Sequence, residues 1–300
     1  MSSDASGLAL HTTPSQERIA ALRTRNASET PLVMLTAYDA VSARLVDQAG
    51  VDFVLVGDSA ATTVLGYDFT YEIRLDELLM LTRAARRGVT AALLVGDLPH
   101  GTYEFSDDAA VATAQDFMRA GCDLVKLEGA GARLSRVRAI VAAGIPVVGH
   151  VGLLPQAARS PSDLRARGRS AEDAIAVLND AQALQDAGCS ALVIEAVPSI
   201  VASAIAARLS IPVIGIGAGS GVDGQVLVFH DMLGLSDGHI PKFVRQFANG
   251  AELIQNAVRQ YARDVRQRTF PSQSEEYGMP LAERERFERG ISSGLLGAGE

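Results

Sequence analysis

The chain of 300 residues has no tryptophan and only two cysteines. The missing tryptophan excludes little, because 48% hydrophobic and 21% charged residues are normal for a soluble globular enzyme with a sizeable core. Two cysteines exclude a disulfide framework. Cys122 and Cys189 read as small, weakly polar fillers at helix-to-strand junctions, and a reducing, cytoplasmic compartment is expected. Positive charge is in deficit: 27 Lys and Arg stand against 35 Asp and Glu, a formal net charge of −8. That balance argues against nucleic acid and an anionic membrane as partners, since both require a basic patch. No apolar run approaches the roughly 20 residues of a membrane helix. The opening MSSDASGLALHTTPSQERIAALRTRN lacks a basic start followed by an apolar stretch, so no secretory signal is expected.

What is present is a repeat. AGVDFVLVGD at 49–58 returns as AGCDLVKLEG at 120–129 and AGCSALVIEA at 187–196, with a looser copy in RRGVTAALLVGD ending at Asp97. Each copy passes from a helix end through a short apolar strand to a carboxylate: Asp58, Asp97, Glu128 or Glu195. Eight such strands are expected: PLVMLTAY, DFVLVGD, AALLVGD, DLVKLEG, PVVGHVGL, ALVIEAV, PVIGIGAG and QVLVFHDML. Amphipathic helices separate most of them, five ending in a glycine suited to a left-handed cap. Near-continuous apolar strands imply burial on both faces, as in a parallel sheet covered by helices.

The fold class is therefore α/β, a (β/α)8 TIM barrel over residues 31–267. An N-terminal extension and helix over 1–30 precede it, and a surface extension over 268–300 comes after it. The link SGVDG between the seventh and eighth strands is too short for a full helix, so that unit is expected to be degenerate. A doubly wound open sheet is the competing architecture. Its glycine-rich turn is absent after the first strand, where LTAYDA stands, and GIGAGSG at 215–221 reads as tight turning at a barrel rim.

A parallel barrel collects the carboxyl ends of its strands at one rim. Asp58, Asp97, Glu128 and Glu195 would converge there, and their mutual repulsion would be relieved by a divalent cation. All-oxygen ligands favour Mg²⁺ over Zn²⁺. Singly, Asp58 and Asp97 could equally cap the next helices. Lys126 shares strand parity with Glu128, so both can point inward, and His150 ends the next strand. This set suits a 2-oxo acid: Asp58 and Asp97 for the metal, Lys126 and Ser59 for the substrate carboxylate, and Glu195 as the base beside the ketone.

These residues lie within LTAYD at 35–39, VGDS at 56–59, GYDFT at 66–70, GDLPHGTY at 96–103, VKLEG at 125–129, GIPVVGHVGLLPQ at 144–156, IEAVP at 194–198 and IPVIGIGAGSGVDGQVLVFHDMLGL at 211–235. In these stretches the chain resembles the ketopantoate hydroxymethyltransferase family. The resemblance implies a barrel of the phosphoenolpyruvate/pyruvate superfamily. It further implies transfer of a one-carbon unit from 5,10-methylenetetrahydrofolate to 3-methyl-2-oxobutanoate, giving ketopantoate for pantothenate and coenzyme A. It makes Asp58 and Asp97 Mg²⁺ ligands and Glu128 a near-metal acid acting through water. Ser59 and Lys126 become substrate anchors, His150 a pocket residue and Glu195 the base. It also implies a ring-based homo-oligomer, such as a decamer.

The chain departs from the family pattern near the pocket. SPSDLRARGRS replaces a glycine-rich loop and keeps only Gly168-Arg169, VGDSAATT replaces the usual V-G-D-S-L-G-M, and His100 stands where Phe is common. These changes leave open an alternative, a related Mg²⁺-dependent 2-oxo acid aldolase or lyase with a different acceptor or donor. A non-catalytic binding protein on the same barrel is disfavoured, because a bare scaffold has no need of the acid cluster.

Overall fold

The computed structural model describes residues 14–22, 30–236, 238 and 240–293. Much of the extension expected over 1–30, and residues 294–300 of the one expected over 268–300, lie outside the described residues. The chain divides into two compact units, residues 1–248 and 249–300.

In the first unit, eight parallel strands succeed one another in sequence order and close into a barrel. They are β1 (Leu32–Thr36), β2 (Phe53–Val56), β3 (Leu93–Asp97), β4 (Leu124–Glu128), β5 (Val147–Gly152), β6 (Ala191–Glu195), β7 (Val213–Ile216) and β8 (Gly224–Leu227). The helices are α1 (Pro14–Leu22), α2 (Ala40–Gln48), α3 (Ala60–Thr63), α4 (Leu75–Arg86), α5 (Asp107–Arg119), α6 (Leu134–Ala142), α7 (Ala171–Asp186), α8 (Ser199–Ala206) and α9 (Phe229–Met232). The second unit carries α10 (Gly250–Gln267) and α11 (Leu281–Ser292). No helix among the described residues is long and apolar enough to cross a membrane.

Strand parity organises the core. Leu32, Met34, Phe53, Leu55, Leu93, Val95, Leu124, Val148, Val193 and Ile214 pack together inside the barrel. Their sequence neighbours, including Val54, Leu94, Val125, Leu127, Val147 and Leu192, pack with the apolar faces of the helices. Alternation with period two produces this division. It also selects the polar side chains that extend each inward row towards the rim. Asp97 comes two residues after Val95, Lys126 and Glu128 after Leu124, His150 after Val148, and Glu195 after Val193.

Two local expectations need correction. The eighth strand ends at Leu227, because the Phe229 amide leaves the ladder to donate to Thr36 Oγ1 at 2.9 Å and the chain turns into α9. Of the five helix-terminal glycines, Gly50, Gly121, Gly144 and Gly188 have positive φ, but Gly88 does not. Gly88 is needed for close approach instead: a Cβ there would lie 2.4 Å from the carbonyl oxygen of Ala40.

A buried carboxylate fastens helix to barrel. Asp47 near the end of α2 accepts bonds from the Thr90 hydroxyl at 2.7 Å, the Thr90 amide at 3.0 Å and the Ala92 amide at 2.7 Å, just before β3. Burial pushes this carboxyl upward, but those donors outweigh it and hold the group below the usual aspartate range. Asp47→Ala would strand several amides and should cost about 2–4 kcal/mol in urea denaturation. Because the folded-state value is depressed, the contribution is complete above about pH 4, the ordinary aspartate value, and fades as pH falls through the folded-state value. Equal unfolding midpoints for the two proteins at pH 7 would rule out the clamp.

Candidate active site

Ladder register brings the strand-end polar residues to one level. Asp97 pairs with Lys126, Glu128 with His150, and Gly152 with Glu195. Asp58 and Ser59 lie just beyond the end of β2. Asp58, Ser59, Asp97, Lys126, Glu128, His150 and Glu195 all line one chamber of about 150 Å³. Its other wall is apolar, formed by Val193, Ile216, Val226, Leu227, Pro241 and Phe243.

Lys126 Nζ lies 2.8 Å from both oxygens of Asp97 and 3.5 Å from Glu128 Oε1. Burial disfavours the charged ammonium, yet the charges of Asp97, Glu128 and Asp58 outweigh it and raise the lysine. His150 spans two acids, with Nδ1 3.2 Å from Glu128 Oε1 and Nε2 3.3 Å from Glu195 Oε2. These are ion-pair distances without the alignment of good hydrogen bonds. Burial and the Lys126 charge lower the imidazole, but its contacts with Glu128 and Glu195 prevail and push it up to about 9. Glu128 is held below the usual range: burial raises it, and Lys126, His150 and the Gln156 amide more than compensate.

Asp58 and Asp97 go the other way. Burial and then the Asp97 charge raise Asp58 well above the usual range, and burial raises Asp97 despite Lys126. Asp58 Oδ2 and Glu128 Oε1 are buried without a hydrogen-bond partner. A buried acceptor in this state calls for a cation or a proton. Among the described residues, no three His, Cys, Asp or Glu side chains form a ready-made metal cage. That does not conflict with Mg²⁺, which keeps several waters and is usually held by one or two carboxylates plus substrate oxygens. The oxygen donors and the orphaned oxygens fit such an ion.

None of the four acids caps the helix after it. Ser59 and Pro198 occupy the N-cap positions of α3 and α8 without side-chain capping bonds, and Ser106 caps α5. Several positioning residues lie in the stretches that carry the family resemblance, but strand parity does not single them out. The Gln156 amide donates to Glu128 Oε2 at 3.1 Å, its side-chain nitrogen donates to the Leu98 carbonyl, and its oxygen accepts from the Tyr103 hydroxyl. Tyr38 OH lies 2.7 Å from Ser59 Oγ. The one hint of Gln156 is a polar residue after Leu-Pro just beyond a buried strand. GIGAGSG turns tightly, with positive φ at Gly217 and Gly219, and it also packs closely: a Cβ on Gly219 or Gly221 would strike Ser199 or Ser203 of α8.

One departure, His100, joins a cluster of side chains with Arg159, Glu104 and Tyr71. Arg159 Nη2 lies 2.9 Å from His100 Nε2, and its guanidinium sits 4.3 Å from the centre of the Tyr71 ring. His100 Nδ1 is 2.8 Å from Glu104 Oε1, and Tyr71 stacks on Phe69. His100 in place of Phe thus gives Arg159 a polar partner that the apolar ring could not.

The family model for ketopantoate hydroxymethyltransferase matches residues 16–273. A protein of Nitratidesulfovibrio vulgaris named 3-methyl-2-oxobutanoate hydroxymethyltransferase is 49% identical over 257 residues, covering 85% of this chain and 84% of its own. One of the same name from Geobacillus thermodenitrificans is 45% identical over 258 residues, covering 86% and 92%. Among solved structures, a phosphonopyruvate hydrolase complexed with oxalate and Mg²⁺ aligns with TM-score 0.57 at 15% identity, over 95% of this chain and 99% of that one. A 2,3-dimethylmalate lyase, a member of the PEP mutase/isocitrate lyase superfamily, aligns with TM-score 0.52 at 15% identity, over 96% and 99%. At such identities the structural likeness concerns the barrel fold alone.

The Gln156 contacts lead to a specific expectation. Gln156→Leu removes the partners of the Tyr103 hydroxyl and the Leu98 carbonyl, and should destabilise the fold by about 1–3 kcal/mol. Turnover should fall only as far as the loop carrying residue 156 shifts, because the backbone amide that donates to Glu128 Oε2 is kept in the variant. A variant with wild-type melting temperature and turnover would show that Gln156 positions nothing.

Proposed function

The chain belongs to the ketopantoate hydroxymethyltransferase family, and on that premise we propose that its buried rim acids and Lys126 convert a bound 2-oxo acid into a carbon nucleophile. The protein is an enzyme: a hydroxymethyl group is added to 3-methyl-2-oxobutanoate to give 2-dehydropantoate, a step towards pantothenate. The observation carrying the residue assignment is the buried set of Asp58, Asp97, Glu128 and Glu195 around Lys126 and His150, with Asp58 Oδ2 unpartnered.

Asp58 and Asp97 would hold Mg²⁺, with Glu128 nearby through water. When bound, the ion would supply Lewis-acid polarisation of the ketone oxygen. Lys126 and Ser59 bind the substrate carboxylate. Lys126 has a further task, because it already neutralises Asp97 in the free chamber. The apolar wall of Val193, Ile216, Val226 and Phe243 suits the branched alkyl end. Glu195 is the base: its side chain is 14% exposed, against 1% for Asp97 and 2% for Glu128, so it can reach a proton on bound substrate. It removes the proton from the carbon beside the ketone, and His150 holds its carboxylate in place from 3.3 Å. One water cleaves the two carbon–nitrogen bonds of 5,10-methylenetetrahydrofolate, freeing the carbon as formaldehyde and leaving tetrahydrofolate. The exposed carbon attacks that carbonyl carbon, and the oxygen, which came from the water, takes up a proton to become the new hydroxyl. A cytoplasmic setting suits two buried cysteines that form no disulfide, and a ring-based homo-oligomer, such as a decamer, is the assembly to test by sedimentation.

Proton exchange at the substrate in D₂O isolates the first step, because it needs no donor. Glu195→Gln keeps the shape but cannot accept a proton, so exchange and turnover should fall about 10²–10⁴-fold while the 2-oxo acid still binds. Wild-type exchange rates in this variant would assign the base elsewhere, with His150 next to be tried. An aldolase acting with free aldehydes would retain exchange but ignore tetrahydrofolate.

Asp58→Ala should abolish Mg²⁺-dependent turnover and leave the melting temperature unchanged or higher, since it deletes a repelled carboxylate. Undiminished Mg²⁺ affinity in calorimetry would sink its role as a ligand. Lys126→Ala should weaken binding of the 2-oxo acid about 10- to 100-fold, the loss of one charge-assisted contact. It should also destabilise the protein by about 3–5 kcal/mol, because Asp97 is left buried and unpaired. Loss of stability with an unchanged substrate dissociation constant would make the lysine structural only.

A further inference from the structure

Three hydroxyl side chains line the reaction chamber: Thr36, Ser59 and Thr70. Two of them are engaged. Thr36 Oγ1 accepts from the Phe229 amide at 2.9 Å, and Ser59 Oγ lies 2.7 Å from Tyr38 OH. Thr70 Oγ1 is buried and has no hydrogen-bond partner among the described residues. A threonine hydroxyl ordinarily finds a nearby backbone group or water. Burying it unpaired is unfavourable, so an orphan in a reaction chamber points to an acceptor that arrives with the reactants.

The turn that carries Thr70 is held on its other sides. Thr70, Tyr71 and Glu72 form a single 3-10 turn, which sends successive side chains in directions about 120° apart. Glu72 Oε2 accepts from the Phe69 amide at 2.7 Å, and the Tyr71 ring lies 4.3 Å from the Arg159 guanidinium. Ile73, the next residue, is buried in the core. Within this turn, Thr70 is the side chain that faces the chamber.

The proposed chemistry has one oxygen to match this one donor. The ketone and carboxylate oxygens of the 2-oxo acid are already served by the proposed ion, Lys126 and Ser59. Attack of the exposed carbon on formaldehyde brings in a further oxygen. The electron pair of the broken carbon–oxygen π bond moves onto that oxygen and makes it an alkoxide. Lys126 is committed to Asp97, and His150 lies between Glu128 and Glu195. The hydroxyl of Thr70 is the chamber donor left over.

We propose that Thr70 is a further catalytic residue, whose hydroxyl donates a hydrogen bond to the alkoxide formed as the new carbon–carbon bond closes. The proposal rests on the reading that the chamber enolises a 2-oxo acid. Thr70 keeps its own proton. The proton that Glu195 takes from the substrate carbon balances the one that the alkoxide takes up, so the Glu195 carboxylate is restored at the end of the cycle. A donor fixed in advance where charge develops stabilises the transition state without reorganisation. The hydroxyl therefore stands idle during the first step and acts in the second.

The test separates the two steps in the full-length protein with Mg²⁺ and 3-methyl-2-oxobutanoate. Thr70→Val has nearly the same shape and no hydroxyl. Its proton exchange in D₂O and its dissociation constant for the 2-oxo acid should stay within about twofold of wild type. Single-turnover formation of 2-dehydropantoate from 5,10-methylenetetrahydrofolate should fall about 10- to 100-fold, the loss of one hydrogen bond to a charged oxygen. The melting temperature should equal or exceed that of wild type, since an unpaired buried hydroxyl is removed. Thr70→Ser keeps the hydroxyl and should recover most of the rate. Undiminished product formation in Thr70→Val, or an equal loss in exchange and product formation, overturns the role of Thr70 and leaves the enolisation reading standing. Wild-type protein that exchanges no substrate protons overturns the enolisation reading, and the role of Thr70 falls with it.

Discussion

The contact between Lys126 and Asp97 at the barrel mouth is the interaction on which the rest of the site depends. An ammonium and a carboxylate are buried there with both carboxylate oxygens 2.8 Å from the nitrogen. Removing two ions from water costs several kcal/mol each, and one such pair recovers that only with good geometry and further partners. The further partners are Glu128, Asp58 and His150, each of which adjusts the charge of the others. The cluster therefore behaves as a unit. It leaves an oxygen of Asp58 and one of Glu128 without a hydrogen-bond partner, the feature on which the proposed cation site rests.

The fold is legible because one physical rule repeats along the chain. Strands of about five residues with apolar character on both parities can only be buried on both faces, and glycine-ended helices between them require a crossover at each step. Strand parity carries the reading into the site: Lys126 and Glu128, two apart, have to share a face, and Asp97 and Glu195 each come two residues after an inward valine. Family resemblance supplies the identity of the donor and acceptor, which parity cannot express.

Whatever depends on contacts between distant loops is not legible in this way. Gln156 meets Leu98 and Tyr103 across separations of more than fifty residues. Phe243 reaches Gly217 from the far side of β8. Neither carries a local pattern. The cluster of Arg159, His100 and Tyr71 shows in the sequence only through His100, a departure from an expected pattern, with nothing to indicate that the three meet. Gly88 illustrates a subtler limit. The sequence marks a glycine at a helix end but cannot say whether backbone freedom or the missing side chain is required.

Period-two alternation also limits how this chain can change over evolutionary time. Deleting one residue within β4 would rotate Lys126 and Glu128 towards the helices and bring Val125 and Leu127 into the barrel mouth. Length changes are therefore lethal within the strands and tolerable between them. The segment at 157–169 lies between strands, so a change of length there leaves the register of the charged cluster unaltered. Chemistry and selectivity occupy parts of the sequence that accept different kinds of mutation. Such a barrel can rewrite its loops while the buried charged cluster at its mouth stays in place.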